Sequence, residues 1–260
     1  MRSGPVRGLA LGLPGVALAT VGGVWVQARR VAHAPLPHFE DLDPSGTYGL
    51  AAHGHDDRPL RVVALGDSSL TGPGLVDVSD TWIARVAAAQ AGPVELRSLA
   101  RGGSRVADVI AEQLPTALEL RADVYLTSVG ANDAMHGTPS PPFRKNLRAL
   151  LVALADVAPV VSLGIGDLSL IPRLPRSLRP LVALRATTID RLHRQVTSDI
   201  EGVTRVPVAE LSDPRFRAGG VQLFSPDLFH PNADGHRIWA ELFAPYLTAT
   251  IERMPARSGA

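Results

Sequence analysis

Five short apolar runs, each closed by a turn and separated from the next by a stretch of helical period, dominate the chain from residue 60 onward. The first is Leu60-Arg61-Val62-Val63-Ala64-Leu65, β-branched and apolar as a strand buried on both faces requires. It breaks at Gly66-Asp67-Ser68-Ser69, and Thr71-Gly72-Pro73-Gly74 holds the chain in a turn. Further strands are expected at residues 94–99, 122–129, 160–165 and 204–211. Helices are expected at 80–90, 106–120, 143–157, 186–200 and 233–251. Alternating strands and helices imply an α/β fold, a parallel sheet with helices on both faces. In such a sheet the residues just past the strand ends share one edge, where ligands bind.

Three signals fall at that edge. Ser68 follows the first strand, Gly103 (in Arg101-Gly102-Gly103-Ser104) the second, and Asn132 (in Gly130-Ala131-Asn132-Asp133) the third. A fourth, Asp227-Leu228-Phe229-His230-Pro231-Asn232, precedes the last expected helix. Taken singly, each has a plainer reading. Asp67-Ser68-Ser69 is a helix cap, Gly103 a turn glycine, Asn132 and Asp133 turn residues, and His230 a helix-entry residue. Taken together they spell a mechanism. A serine hydroxyl needs a base within hydrogen-bond reach, which His230 supplies. The imidazole needs an acceptor on its other nitrogen, which Asp227 supplies. The oxyanion formed on an attacked carbonyl needs fixed donors: the N–H groups of Ser68 and Gly103 and the Asn132 amide.

These four blocks resemble those of the SGNH (GDSL-type) hydrolase superfamily over residues 60–251. The resemblance implies a flavodoxin-like three-layer sandwich with a five-stranded parallel sheet. It implies Ser68 as nucleophile, His230 as base, Asp227 as its orienter, and Ser68, Gly103 and Asn132 as oxyanion donors. It implies a carboxylic-ester hydrolase acting through an acyl-enzyme, with neither metal nor cofactor, on a small-molecule, lipid or glycan ester. An acyltransferase using the same serine and a silent binding module for an acylated glycan or lipid are the alternatives. Two positions depart from the pattern. Ser69 stands where many members have leucine. Ser98 stands where many have the asparagine that precedes the block-two glycine, which leaves open what supports that loop.

Other chemistries fit worse. There is no cysteine, hence no disulfide, thiolate metal site or cysteine nucleophile. Lys145 is the only lysine and is remote from a serine motif. The Gly-x-Ser-x-Gly elbow, the His-Glu-x-x-His zinc motif and the phosphate-binding loop are absent. Gly164-Ile165-Gly166 lacks the third glycine of a dinucleotide site. A net charge of +1 gives no field for nucleic acid.

Three stretches lie outside this scheme. Residues 8–26, within an N-terminal segment of residues 1–33, carry no charge; nineteen helical residues span about 28 Å, close to a bilayer's hydrocarbon core. Five glycines and Pro14 dilute that run. A membrane anchor, a signal peptide and a helix packed on protein all fit, so membrane-associated, exported and cytoplasmic locations stay open. Residues 34–59 read as a linker, and His53, His55, Asp56 and Asp57 within it as chance polar residues more than a metal site. Residues 60–254 form the hydrolase domain. Inside it, residues 168–184 read as a loop or lid, with Leu170, Ile171, Leu174, Leu178, Leu181 and Leu184 apolar and Arg173, Arg176 and Arg179 basic.

Overall fold

The computed structural model describes residues 37, 39–49 and 58–254. The apolar segment at 8–26 and the histidine cluster at 53–57 lie outside them. Among the described residues, no helix is long and apolar enough to cross a membrane.

Six strands form one sheet: β1 (Gly46–Tyr48), β2 (Leu60–Gly66), β3 (Val94–Ser98), β4 (Val124–Ser128), β5 (Val160–Leu163) and β6 (Val203–Val206). Their spatial order is β1-β3-β2-β4-β5-β6. The five strands from β2 to β6 are parallel, as expected. The sixth, β1, is an antiparallel edge strand on β3, with Gly46 opposite Leu96 and Tyr48 opposite Val94. It comes from the stretch read as a linker. Three residues, two of them exposed, carry no hydrophobic period; backbone pairing and the packing of Tyr48 on the core make the strand.

Along β2, Val62 and Ala64 face one layer while Val63 and Leu65 face the other, the period of two that a pleated strand imposes. All four are 0–1 % exposed, and burying one valine or leucine contributes about 1.5–3 kcal/mol. One layer holds Val106–Asp108 and its continuations Val109–Gln113 and Leu114–Glu119, then Ser140–Ala155 and Arg179–Ser198. The other holds Trp82–Ala88 and Ala233–Glu252. Thr81 caps the first of these two helices, its hydroxyl accepting from Ala84 N–H. Asn232 caps the second by accepting from Asp234 and Gly235 N–H.

Two expectations need correction. The run at 204–211 ends as a strand at Val206; after Pro207 a helix, Val208–Gly219, begins. A short apolar run does not distinguish strand from helix by period alone. The stretch at 168–184 is loop only to residue 178, because Pro180 sits in the first turn of Arg179–Ser198, where its missing N–H costs nothing. Leu181 and Leu184 are 56 % and 65 % exposed and face solvent, whereas Ile171 and Leu174 are buried. Arg173 donates to the Asp227 carbonyl, and Arg179 to the carbonyls of Leu174 and Pro172. Both cations therefore brace loops, while Arg176 is exposed.

Because β3 lies on one side of β2 and β4 on the other, the chain reverses its winding there. The crevice outside the ends of β2, β3 and β4 is the topological switch point.

Candidate active site

Gly66 ends β2 beside β4, and an added Cβ there would lie 2.2 Å from the Ser128 carbonyl oxygen. Only glycine permits that approach. Asp67 then caps the short helix Ser68–Thr71, accepting from Ser69 N–H at 3.0 Å. Burial pushes its carboxyl above the usual range, partly offset by the bonds from Ser69. Ser68 thus stands at the head of that turn. Ser69, the departure noted above, bonds the Ser128 hydroxyl at 2.6 Å and ties the turn to β4.

The last block folds onto the serine from the opposite side. Asp227 Oδ1 accepts from the N–H groups of Phe229 and His230 at 2.9 and 3.0 Å, and Oδ2 bonds His230 Nδ1 at 2.7 Å. Leu228 between them takes a left-handed conformation, φ +58°, which closes the loop. Burial pushes the Asp227 carboxyl up. The bonds from the His230 ring and the two N–H groups outweigh it and hold the carboxyl below its usual range. The carboxylate fixes the ring with its proton on Nδ1, and the free Nε2 lies 3.2 Å from Ser68 Oγ.

Donors surround the serine from the third side. Gly103 has φ +79°, open to glycine and strained for other residues. Asn132, in Ala131–Met135, points its amide at the Ser104 carbonyl, 3.1 Å, and at Asp67 Oδ2, 3.3 Å. Among the described residues, neither Ser68 N–H nor Gly103 N–H has a protein acceptor. Every residue expected from the motifs is therefore gathered at one place.

Two residues at this place were missed by sequence reasoning. Gln113 ends the π turn of its helix, a distortion that recurs at functional sites. Its amide accepts from Gly66 N–H and donates to Gly66 carbonyl, both at 2.9 Å, and reaches Ser104 Oγ at 3.3 Å. A lone glutamine in a helical run carries no signal of this. Asp41, from the stretch read as a linker, accepts from Thr71 Oγ1 at 2.6 Å and from Gly102 N–H at 2.9 Å.

Two cavities meet at the serine and histidine. An inner one of about 130 Å³ is walled chiefly by apolar side chains, among them Leu168, Ile171, Val208, Phe216 and Trp239. Asp213 stands at its rim, its carboxyl pushed up to about 6 by burial. An outer cleft of about 630 Å³ is walled by Phe39, Glu40, Asp41 and Gly103. Ser68, Asn132, Phe229 and His230 border both. Among the described residues no cluster of three or more His, Asp or Glu side chains is placed to hold a metal.

A parallel α/β sandwich with a hydroxyl, imidazole and carboxylate in line at its switch point has the architecture of an SGNH hydrolase. Residues 64–238 match the family model described as GDSL-like Lipase/Acylhydrolase family, and the chain belongs to that family. A curated relative, the GDSL-like esterase Rv1075c of Mycobacterium tuberculosis, is 28 % identical over 272 residues, covering 94 % of this chain and 86 % of its own. Solved structures share the fold. A member of the lipolytic G-D-S-L family from Veillonella parvula is 16 % identical with a TM-score of 0.61, covering 72 % of this chain and 98 % of its own. The extracellular lipase of Streptomyces rimosus is 22 % identical with a TM-score of 0.54, covering 73 % and 99 %.

Proposed function

We propose that the protein is a serine esterase that works through an acyl-enzyme on Ser68. The observation that carries this reading is the line from Asp227 through His230 to Ser68, at 2.7 and 3.2 Å, where two cavities meet. His230 Nε2 takes the Ser68 proton as Oγ attacks the ester carbonyl carbon. The carbonyl oxygen becomes an oxyanion, held by the N–H groups of Ser68 and Gly103 and by the Asn132 amide, which turns one N–H to it from the long 3.3 Å contact with Asp67 Oδ2. Each such donor is worth about 3–4 kcal/mol in the transition state. Asp227 stays ionised and stabilises the imidazolium. His230 then returns its proton to the leaving alcohol. Water, deprotonated by the same imidazole, releases the acid and restores the serine. The wide outer cleft gives water access to the acyl carbon. The apolar inner cavity suits the acyl chain, and the esterase activity named for the mycobacterial relative agrees with the reading.

The test is turnover of acetyl, butyryl and octanoyl p-nitrophenyl esters by the wild type and by Ser68→Ala. The variant should lose about 10⁴-fold or more in kcat. Equal rates would remove Ser68 from the mechanism. Tight binding of the esters without turnover by the wild type would point to the silent binding module.

A further inference from the structure

We propose that Asp41 is a positioning residue for the oxyanion site, a brace supplied by the strap that precedes the family core. The inference rests on the serine-esterase reading above and adds a residue outside the matched stretch of 64–238.

Gly103 N–H can serve a carbonyl oxygen only if the Gly102–Gly103 peptide is held in one orientation. Packing does not hold it: a Cβ added to Gly103 would meet nothing within 4 Å. Glycine has the widest backbone freedom of any residue, so two in succession would let the donor wander. Hydrogen bonds must supply the restraint. On the far side of the loop, Ser104 is fixed through its carbonyl by Asn132 and through its hydroxyl by Gln113. On the near side, Arg101 N–H bonds the Gly66 carbonyl, and a long 3.3 Å bond from Ser104 N–H to the Arg101 carbonyl spans the two glycines. The remaining amide between them, Gly102 N–H, is taken by Asp41 Oδ2 at 2.9 Å.

The other carboxylate oxygen has an equally pointed partner. Asp41 Oδ1 accepts from Thr71 Oγ1 at 2.6 Å, and Thr71 is the last residue of the helix that Ser68 opens. One side chain therefore ties the serine turn to the glycine loop, two segments that must keep a fixed separation to grip one carbonyl. A Cβ added at position 102 would lie 2.9 Å from Asp41 Oδ1, so a side chain there would push the carboxylate out of its bond to Gly102 N–H. The strap is itself pinned. Leu42 N–H bonds the Thr71 carbonyl at 2.9 Å, Ser98 N–H bonds Ser45 Oγ at 3.0 Å, and β1 pairs with β3. This answers what supports the loop when Ser98 stands in place of asparagine: Ser98 Oγ is buried without a partner, and the support comes from Asp41 and Gln113 instead.

Asp41 is exposed, so truncating it leaves the core intact. The experiment compares Asp41→Ala and Asp41→Asn in the full chain. Asparagine can accept from Gly102 N–H with its oxygen and donate to the Thr71 hydroxyl, so it keeps the brace; alanine cannot. Active sites are counted with a p-nitrophenyl alkylphosphonate, so that kcat is expressed per competent site. Asp41→Ala should lower kcat about 10-fold, less than the 10²–10³-fold that follows outright loss of a donor, with KM within about twofold. The inhibition constant for an alkylboronic acid, which forms a tetrahedral adduct on serine, should rise by about the same factor as kcat/KM falls. Asp41→Asn should stay within about threefold of the wild type on both measures. A purely structural role would lower the count of competent sites and leave both measures unchanged. Wild-type kcat and boronate affinity in Asp41→Ala, or equal losses in the two variants, would overturn the proposal. If Asp41→Ala is not recovered folded, Thr71→Val removes one of the two anchors and should move both measures in the same direction; no change in it would be equally contrary. Ser68→Ala separates the two claims: activity surviving there sinks the esterase reading, whereas activity lost there but intact in Asp41→Ala sinks only the brace.

Discussion

The two sides of the site are held in different ways. The imidazole side is chiefly local, with one outside brace: Arg173 donates to the Asp227 carbonyl through its side chain and to the Leu228 carbonyl through its N–H. Asp227 satisfies Phe229 N–H, His230 N–H and the His230 ring from within four residues, and Ser225 N–H closes the loop on the His230 carbonyl at 2.7 Å. The oxyanion side is assembled from afar. The loop around Gly103 is fixed by Asp41, Gln113 and Asn132, which come from the strap, a π turn and the short helix after β4. A local loop can be carried intact wherever the fold offers a helix start. A dispersed one depends on the whole sheet edge keeping its shape. The first should therefore tolerate changes around it, and the second should register changes made far from the serine.

The largest expected effect tests the local side from inside. Asp227→Asn keeps the side chain's shape but offers His230 an amide in place of a carboxylate, favouring the wrong tautomer. Steady-state kinetics should show kcat reduced about 10³–10⁴-fold with the fold intact. A loss under tenfold would mean that the imidazole is oriented by something other than Asp227.

Acid tests the dispersed side. His236 Nδ1 accepts from Trp82 N–H at 3.1 Å, and the Trp82 indole donates to the Ser69 carbonyl at 2.7 Å, so this buried ring supports the serine turn. Burial pushes the His236 pKa down to about 3 and that of His193 down to about 4, from 6.5. Between those values the unfolded chain binds protons that the folded chain refuses, so stability falls as pH drops below about 6.5. Each histidine contributes a slope of up to about 1.4 kcal/mol per pH unit. The depressed Asp227 carboxyl works the same way in a lower window. Its contribution is complete above the ordinary carboxylate range and is lost as pH falls through its folded value. Urea unfolding across this range should show the histidine slope first, reduced below about pH 6 where the buried Asp213 carboxyl takes up a proton in the folded chain. His236→Gln, which keeps an acceptor for Trp82, should make it shallower.

Gln113→Leu tests the same side by deletion. It strands the buried Gly66 N–H at about 1–3 kcal/mol, while the Gly66 carbonyl keeps the Arg101 N–H as a partner. Thermal melting should show the loss, and kcat should fall with it because Ser104 loses a restraint. The smallest effect belongs to the local loop. Leu228 is left-handed and 41 % exposed, so Leu228→Gly relieves strain while giving up little burial. A gain of about 0.5–1 kcal/mol with unchanged kcat is expected. A large loss of kcat would show that the loop is less self-contained than its hydrogen bonds suggest.

The same division explains what the sequence disclosed. Ser68, Gly103, Asn132, Asp227 and His230 were legible because each sits in a short block whose residue types and spacing reflect its own local geometry. The parallel strands were legible because β2, β4 and β5 are buried on both faces and largely apolar, while β3 alternates buried Val94 and Leu96 with Glu95 and exposed Arg97. Asp41 and Gln113 were not, since a lone carboxylate in a polar stretch and a lone glutamine in a helix acquire meaning only when the sheet brings them to the Gly102–Ser104 loop. The edge strand β1 buries too little to leave a pattern. The helix Val208–Gly219 was hidden by an apolar run continuous with β6, and the start of Arg179–Ser198 by a proline that opens the helix rather than breaking it.

The most direct measurement is covalent. The wild type and Ser68→Ala are treated with a p-nitrophenyl alkylphosphonate, digested, and the modified peptide is located by mass spectrometry. A single adduct on the peptide containing Ser68, absent from Ser68→Ala, is the predicted result. Labelling of another residue, or continued ester hydrolysis by protein that carries the adduct on Ser68, would contradict it.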